Sequence, residues 1–378
     1  MNTYNSLFTS LSFSNGISLK NRIVMSPMTT WASNDDFTVS DEEVEYYQKR
    51  VNGVGLVITG CTHVTQNGIG FTHEFAAYDD AFLPSLKKLA NATKSGGAPA
   101  ILQMFHAGNK AISGLIPNGE VVSSSAVSSG PILLSDKENL AKELNENEIR
   151  DIIKAFGKTT KRAIEAGFDG VEIHGAHGFL IQNFISPFFN KRTDQWGGTL
   201  DNRLRLSLEI LKEVKEVALK YAARPFLIGY RISPEEFPQN SYGLQDTFVL
   251  VDKLIEAEID YLHFSLMDAV HQKPIDSRFS EKPISIVLNN YINNRVPVLV
   301  AGGVTTPGKA VDVIDSGISM VAIGRTLIIN PNWVELVERG EANKIKSILT
   351  LDTVAQKKIP EKLMKIFMTL TGWVAIGD

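Results

Sequence analysis

Eight short runs rich in valine, isoleucine and leucine recur along the chain, with helix-like segments between them. They are Arg22–Met25, Gly55–Thr59, Ala98–Met104, Gly170–His174, Phe226–Ile232, Tyr261–Ser265, Pro297–Val300 and Met320–Ile323. Most are almost continuously apolar, as strands covered on both faces must be. The intervening segments predict helices over Asp41–Val51, Ala81–Lys94, Glu146–Ala166, Leu200–Lys220, Gln245–Ala257, Pro283–Asn293 and Thr306–Asp315. Small residues such as Gly167 and Gly317 stand where those helices must stop before the next strand. Strands alternating with helices in this way build a parallel sheet.

Alternation alone does not separate an open doubly wound sheet from a closed barrel. No G-x-G-x-x-G follows the first strand, and eight βα units point to a (β/α)8 TIM barrel. The chain of 378 residues fits one such domain, since these barrels exceed about 400 residues when their loops carry insertions. We expect a single domain over residues 1–378, with a long loop at about 108–143 after the third strand and a helical tail at about 331–378. Loops of that length inside a compact domain are usually functional, so this one is expected to cover the barrel mouth.

Bulk properties remove several functions. Hydrophobic residues at 43% and charged residues at 21% describe an ordinary globular protein. A net charge of −4, with no long basic run, argues against nucleic acid as a partner. No apolar run approaches the roughly 18 residues of a membrane span, and the N-terminus lacks a signal-peptide pattern, so no membrane partner and a cytoplasmic location are expected. The single cysteine, Cys61, excludes an internal disulfide and an iron–sulfur cluster held by four thiolates of this chain.

Catalytic groups of such barrels gather at the C-terminal ends of the strands. Those ends carry Ser26-Pro27-Met28-Thr29, Gly60, Gln103 with His106, His174 with His177, and Arg231. The last two strands end in Ala301-Gly302-Gly303 and Gly324-Arg325, where bare backbone N–H groups and a fixed cation make a phosphate cradle. Gly302-Gly303 alone would more often be a tight turn; both glycine sites with Arg325 favour phosphate. A solitary histidine is more often structural, and that applies to His63, His73, His263 and His271. The pair His174 and His177 is different. Two imidazoles so spaced would also suit a metal, but no nearby carboxylate or thiolate completes a ligand set, so no metal is expected and hydrogen-bond donation is the better role. Arg231 has a structural alternative, a buried ion pair with a carboxylate such as Glu172.

These residues resemble the old yellow enzyme family of FMN-dependent oxidoreductases along nearly the whole chain. Leu19-Lys20-Asn21-Arg22-Ile23-Val24-Met25-Ser26-Pro27-Met28 resembles the first-strand signature, Gln103 with His106-Ala107-Gly108 the third, and His174 to Gly198 the fourth. Tyr230-Arg231-Ile232-Ser233, Ala301-Gly302-Gly303 and Gly324-Arg325 fall where the family places its flavin-electronics and phosphate-binding residues. The resemblance implies noncovalent FMN at the barrel mouth, reduced by NADH or NADPH and reoxidised by a small electron-poor acceptor. It further implies that Pro27, Met28, Thr29, Gly60 and Gln103 contact the flavin ring, and that Arg231 stabilises negative charge on it. Gly302, Gly303, Gly324 and Arg325 would hold its phosphate, and His174 and His177 would hold the acceptor's carbonyl or the nicotinamide amide. Catalytic weight thus falls on His174, His177, Arg231 and Thr29, Thr29 being the position where one branch of the family has cysteine.

The pattern breaks at Phe179, where the family commonly has a tyrosine that protonates the substrate in alkene reduction. Phenylalanine has no proton to give, so alkene reduction is expected to be weak, while quinones, nitro compounds, free flavin or oxygen remain acceptors. Trp31 and Phe179 together would make the substrate pocket aromatic. Two other classes stay in play: a phosphate-binding barrel lyase or isomerase, and a flavin-binding protein without turnover. The family includes monomers, dimers and tetramers, so a homo-oligomer is also open. In some relatives a C-terminal segment reaches a neighbour's site, and Thr371-Gly372-Trp373-Val374 is the candidate here.

Overall fold

The computed structural model describes residues 3–132, 138–237 and 241–377. Among the described residues, eight parallel strands close into a barrel: β1 Ile23–Met25, β2 Leu56–His63, β3 Ala100–Phe105, β4 Gly170–Gly175, β5 Leu227–Ile232, β6 Tyr261–Ser265, β7 Val298–Ala301 and β8 Met320–Ile323. Each strand pairs with its sequence neighbours, and β1 pairs with both β2 and β8, which closes the ring. The chain is a (β/α)8 TIM barrel.

The helices are α1 Asp41–Arg50, α2 Leu83–Lys94, α3 Glu146–Ala166, α4 Leu180–Ile185, α5 Leu200–Tyr221, α6 Leu244–Glu256, α7 Ile284–Ile292, α8 Pro307–Asp315, α9 Arg325–Ile329, α10 Trp333–Glu338 and α11 Glu361–Thr369. Local chemistry sets their ends. Ser40 and Glu43 form a reciprocal capping box on α1, and Asn145 and Glu148 do the same on α3. Gly167 ends α3 at φ +93°, a conformation that a side chain would resist.

Two apolar layers result. One lies between the strands and the helices, where Phe156, Ile210 and Val251 are buried. The other fills the barrel floor with Val24, Leu56, Ile58, Ile101, Leu227, Leu299 and Met320, and Phe13 and Leu19 of an N-terminal hairpin plug it from below. The interior therefore turns polar only toward the C-terminal ends of the strands.

Three expectations are corrected. β2 continues four residues beyond Thr59 and ends on a buried polar side chain, His63, whose Nδ1 lies 2.7 Å from a buried Glu74 oxygen. The short helices α4 and α9 sit in loops, buried except for Arg325 at the start of α9, where an apolar run too short to show helical periodicity still packs as a helix. Of the long loop expected over the mouth, no described residue lines the central cavity, and residues 133–137 lie outside the described residues. It packs sideways instead, with Ser124 Oγ donating to the Asn183 carbonyl at 3.0 Å and Arg192 donating to the carbonyls of Ser124 and Leu144 at 3.1 and 2.6 Å. The segment Asn190–Arg203 is thus scaffold, with Asn190 Nδ2 donating to the carbonyls of Phe184 and Trp196.

Candidate active site

A cavity of about 900 Å³ opens at the C-terminal ends of the strands, within the range of about 300–1,000 Å³ usual for cofactor and substrate sites. Pro27, Met28, Thr29, Trp31, Gln103, His174, His177, Phe179, Arg231, Gly302, Gly303, Gly324 and Arg325 all line it. Gly60, expected beside the flavin ring, does not. It lies behind the wall, where its N–H donates to the Tyr47 hydroxyl at 3.0 Å and an added Cβ would stand 2.6 Å from the Met28 carbonyl oxygen. Because β2 runs on past Gly60, its neighbour Cys61 faces the cavity instead.

Beneath the cavity lies a buried polar layer. Glu172 on β4 accepts from Gln103 Nε2 at 2.6 Å, from the Tyr261 hydroxyl at 3.0 Å, and from His263 Nδ1 at 3.0 Å. Burial by itself would push this carboxyl up, but His263, the charge of Arg231 and the Gln103 amide outweigh it and hold it below its ordinary value. Glu172 therefore stays an anion and fixes the Gln103 amide with its nitrogen toward the carboxylate. The Gln103 oxygen faces the Cys61 thiol, which is 3.4 Å away. Burial pushes that thiol up to about 12, so it is no thiolate nucleophile.

The ion-pair alternative for Arg231 is replaced by another arrangement. Its Nη2 donates to the Ser265 hydroxyl oxygen at 3.0 Å, and its Nε–H is buried without a hydrogen-bond partner. An unpaired donor on a buried cation is costly unless a ligand answers it.

The two histidines stand with ring centroids 4.9 Å apart. His174 is buried, and its Nδ1 accepts from the Ala176 N–H at 3.2 Å. Burial and then the neighbouring His177 and Arg231 hold His174 well below the usual imidazole range, so it is neutral and its remaining proton sits on Nε2. His177 occupies a strained left-handed conformation, φ +61°, stabilised by its N–H donating to Ser233 Oγ at 3.1 Å. Its ring faces the cavity, with protein walls around it. That deep setting, then the positive charges of Arg231 and Lys110, keep it neutral as well. Phe179 packs edge-on to His174 with centroids 5.1 Å apart and to Phe105 at 5.0 Å. The remaining histidines do different work: His106 is buried outside the cavity lining, with Nδ1 accepting from Gly108, and His263 serves Glu172.

Residues the sequence did not place at the site complete it, Cys61, Phe71, Ser265 and Met267, together with Trp373 of the tail segment expected to reach a neighbour's site. Trp373 is the most instructive. In this chain the tail folds over its own barrel: Trp373 meets Trp31 edge-on at 5.7 Å, and Arg325 Nη1 donates to the Trp373 carbonyl at 3.0 Å. An aromatic contact and a charged donor at the mouth hold the segment in place, so the tail lines the chain's own cavity. No sequence periodicity marks a contact made across more than 300 residues.

The donor set fits a flat heterocycle with an anionic tail. Arg231 offers an unanswered N–H, and Gln103 a fixed amide. Gly302 and Gly303 hold φ values of +155° and +57°, where a Cβ at 302 would stand 2.6 Å from the Leu266 carbonyl oxygen. Bare backbone there leaves room for phosphate oxygens at the glycine turns, as the chemistry of FMN requires.

Comparison with known proteins gives the same direction. The description "NADH:flavin oxidoreductase / NADH oxidase family" matches residues 6–344. A probable NADH-dependent flavin oxidoreductase of Bacillus subtilis, YqiG, is 41% identical over 375 residues, covering 99% of each chain. An NADH:fumarate oxidoreductase of Klebsiella pneumoniae is 38% identical over 86% of this chain, which spans only 35% of that longer protein. The solved old yellow enzyme homologue from Zymomonas mobilis superposes with a TM-score of 0.75 at 26% identity, covering 88% of this chain and 92% of that one.

Proposed function

The chain belongs to the NADH:flavin oxidoreductase / NADH oxidase family and is an FMN-dependent NAD(P)H oxidoreductase of old yellow enzyme type; from that premise we propose that its acceptor is a flat, electron-poor compound reduced without a proton from position 179. Membership removes the lyase and isomerase alternative. Bound FMN supplies a carrier that takes hydride from the nicotinamide and yields it to the acceptor. The names of the Bacillus and Klebsiella relatives support NADH as the reductant.

The chain's own residues divide the labour. Pro27, Met28, Thr29, Cys61 and Gln103 would hold the ring, and Gly302, Gly303, Gly324 and Arg325 the phosphate. Arg231 would stabilise negative charge developing at the cofactor's pyrimidine edge, where a preorganised cation in a water-poor site is worth most. His174 would donate its Nε2–H to the acceptor oxygen, with His177 beside it. Trp31, Phe71 and Phe179 would sandwich a planar molecule.

The observation that carries the proposal is Phe179, packed edge-on to His174 at the place where an acid would be needed. Its ring has no transferable proton. A steady-state comparison of cyclohexenone with menadione, both with NADH, tests it: menadione should turn over faster, and faster enone turnover overturns the idea. A single FMN-binding domain, a small-molecule acceptor and a cytoplasmic setting belong to the same reading. Among the described residues, no helix is long and apolar enough to cross a membrane.

A further inference from the structure

Ser265, at the last position of β6, touches both halves of the site at once. Its hydroxyl oxygen accepts from Arg231 Nη2 at 3.0 Å and lies 2.7 Å from His177 Nε2. Arg231 can only donate, so one lone pair of Ser265 is committed to a cation. An oxygen already accepting from a cation is a poorer acceptor toward a second donor, while its own O–H is polarised and donates better. The neutral ring of His177 provides the matching lone pair.

We infer that Ser265 is a positioning residue that donates to His177 Nε2, fixes this imidazole as the Nδ1–H tautomer, and so links the cofactor-side cation Arg231 to the acceptor-side donor. Sheet register makes the link possible. Arg231 pairs directly with His174 on β4 and with His263 on β6, so Ser265, two residues beyond His263, points into the same interior one layer higher. The strained backbone of His177, held by Ser233, brings its Nε2 down onto that layer. Ser233 and Ser265 thus grip His177 at the backbone and at the ring.

The two histidines then differ in which nitrogen carries the proton. His174, whose Nδ1 is taken by the Ala176 N–H, carries it on Nε2. His177, whose Nε2 is taken by Ser265, carries it on Nδ1. Neither ring can rotate its lone pair toward the acceptor without breaking an existing bond, so the pair is set to donate and rejects an acceptor that offers a donor in its place. The inference rests on the reading of His174 and His177 as the acceptor's hydrogen-bond donors.

The test is long-range proton–nitrogen NMR on FMN-loaded protein carrying ¹⁵N-histidine, with signals assigned by His177→Asn. Wild type should show a protonated, pyrrole-type nitrogen at Nδ1 of His177 and a pyridine-type nitrogen at Nε2. Ser265→Ala should leave a mixture of tautomers, and Ser265→Thr, which keeps the hydroxyl, should restore the wild-type pattern. In parallel, kcat/KM for menadione should fall about tenfold in Ser265→Ala, the loss of one hydrogen bond's orientation. A pyridine-type Nδ1 in wild type overturns the inference, as does a Ser265→Ala protein with the wild-type spectrum. The spectrum does not depend on turnover, and bleaching of the flavin by NADH separately tests the oxidoreductase reading, so the two failures are distinguishable.

Discussion

The phenol ring of Tyr261 lies across the bare α-carbon of Gly229: a Cβ built at position 229 would stand 2.0 Å from a ring carbon and 2.4 Å from the hydroxyl oxygen. These residues are register partners on β5 and β6, and the missing side chain lets the hydroxyl reach Glu172 on the far side of β5. Gly229→Ala should therefore displace Tyr261 and leave Glu172 short of a donor. Overpacking of this kind, with a lost buried hydrogen bond, costs about 3 kcal/mol. Urea unfolding measures it; a loss below about 1 kcal/mol would show that the ring relocates freely.

Arg231 is a buried cation whose charge helps hold the Glu172 carboxyl below its ordinary value. Arg231→Gln should slow reduction of the bound flavin by NADH by about 100-fold, the usual scale for removing one electrostatic stabiliser. It should also lower the flavin's midpoint potential. Anaerobic stopped-flow and a redox titration read both, and an unchanged potential would place Arg231 outside the electronics of the cofactor.

Phe179 touches His174 and Phe105, so a hydroxyl at its ring tip adds one atom without recasting the packing. Phe179→Tyr should raise cyclohexenone turnover at least ~10-fold, toward the ~10²–10⁴ that a positioned acid contributes, and leave menadione within about twofold. Equal effects on both substrates would mean that proton supply does not limit the enone.

Glu43 underlies the loop that carries Trp31. Its carboxyl accepts from Thr30 and Ser33, on either side of that strained tryptophan, and from the Ser40 N–H. Burial pushes it up to about 7 from 4.5, against the pull of those donors and the charge of Lys362. A carboxyl whose folded value is raised contributes stability that is fully present below 4.5 and lost as pH rises through about 7. Relative to wild type, Glu43→Gln should thus gain roughly 3 kcal/mol between pH 4.5 and pH 8, the size of the shift at about 1.4 kcal/mol per unit. Denaturant curves of both proteins at the two ends check it. A constant difference between them would mean that Glu43 titrates normally.

The chain alone determined the barrel, its eight strands to within a few residues, and most of the cavity wall. It did so because alternation of buried strands and amphipathic helices is a local pattern, and because strand ends of such a barrel converge by geometry. His174, His177, Gln103 and Arg231 were legible as polar groups ending apolar runs. Gly60 lies outside the cavity lining and Cys61 faces the cavity instead, since nothing local announced that β2 continues to His63.

Only the tertiary structure decided what joins those groups. Ser265 reads in sequence as an unremarked strand end, and its contacts to Arg231 and His177 appear when β4, β5 and β6 are laid side by side. Trp373 closes over Trp31 from the other end of the chain, and no described residue of the long loop lines that cavity. Hydrogen bonds and edge-on ring contacts depend on positions accurate to fractions of an ångström between residues distant in sequence. Periodicity carries no such information, so closure of the barrel supplies it.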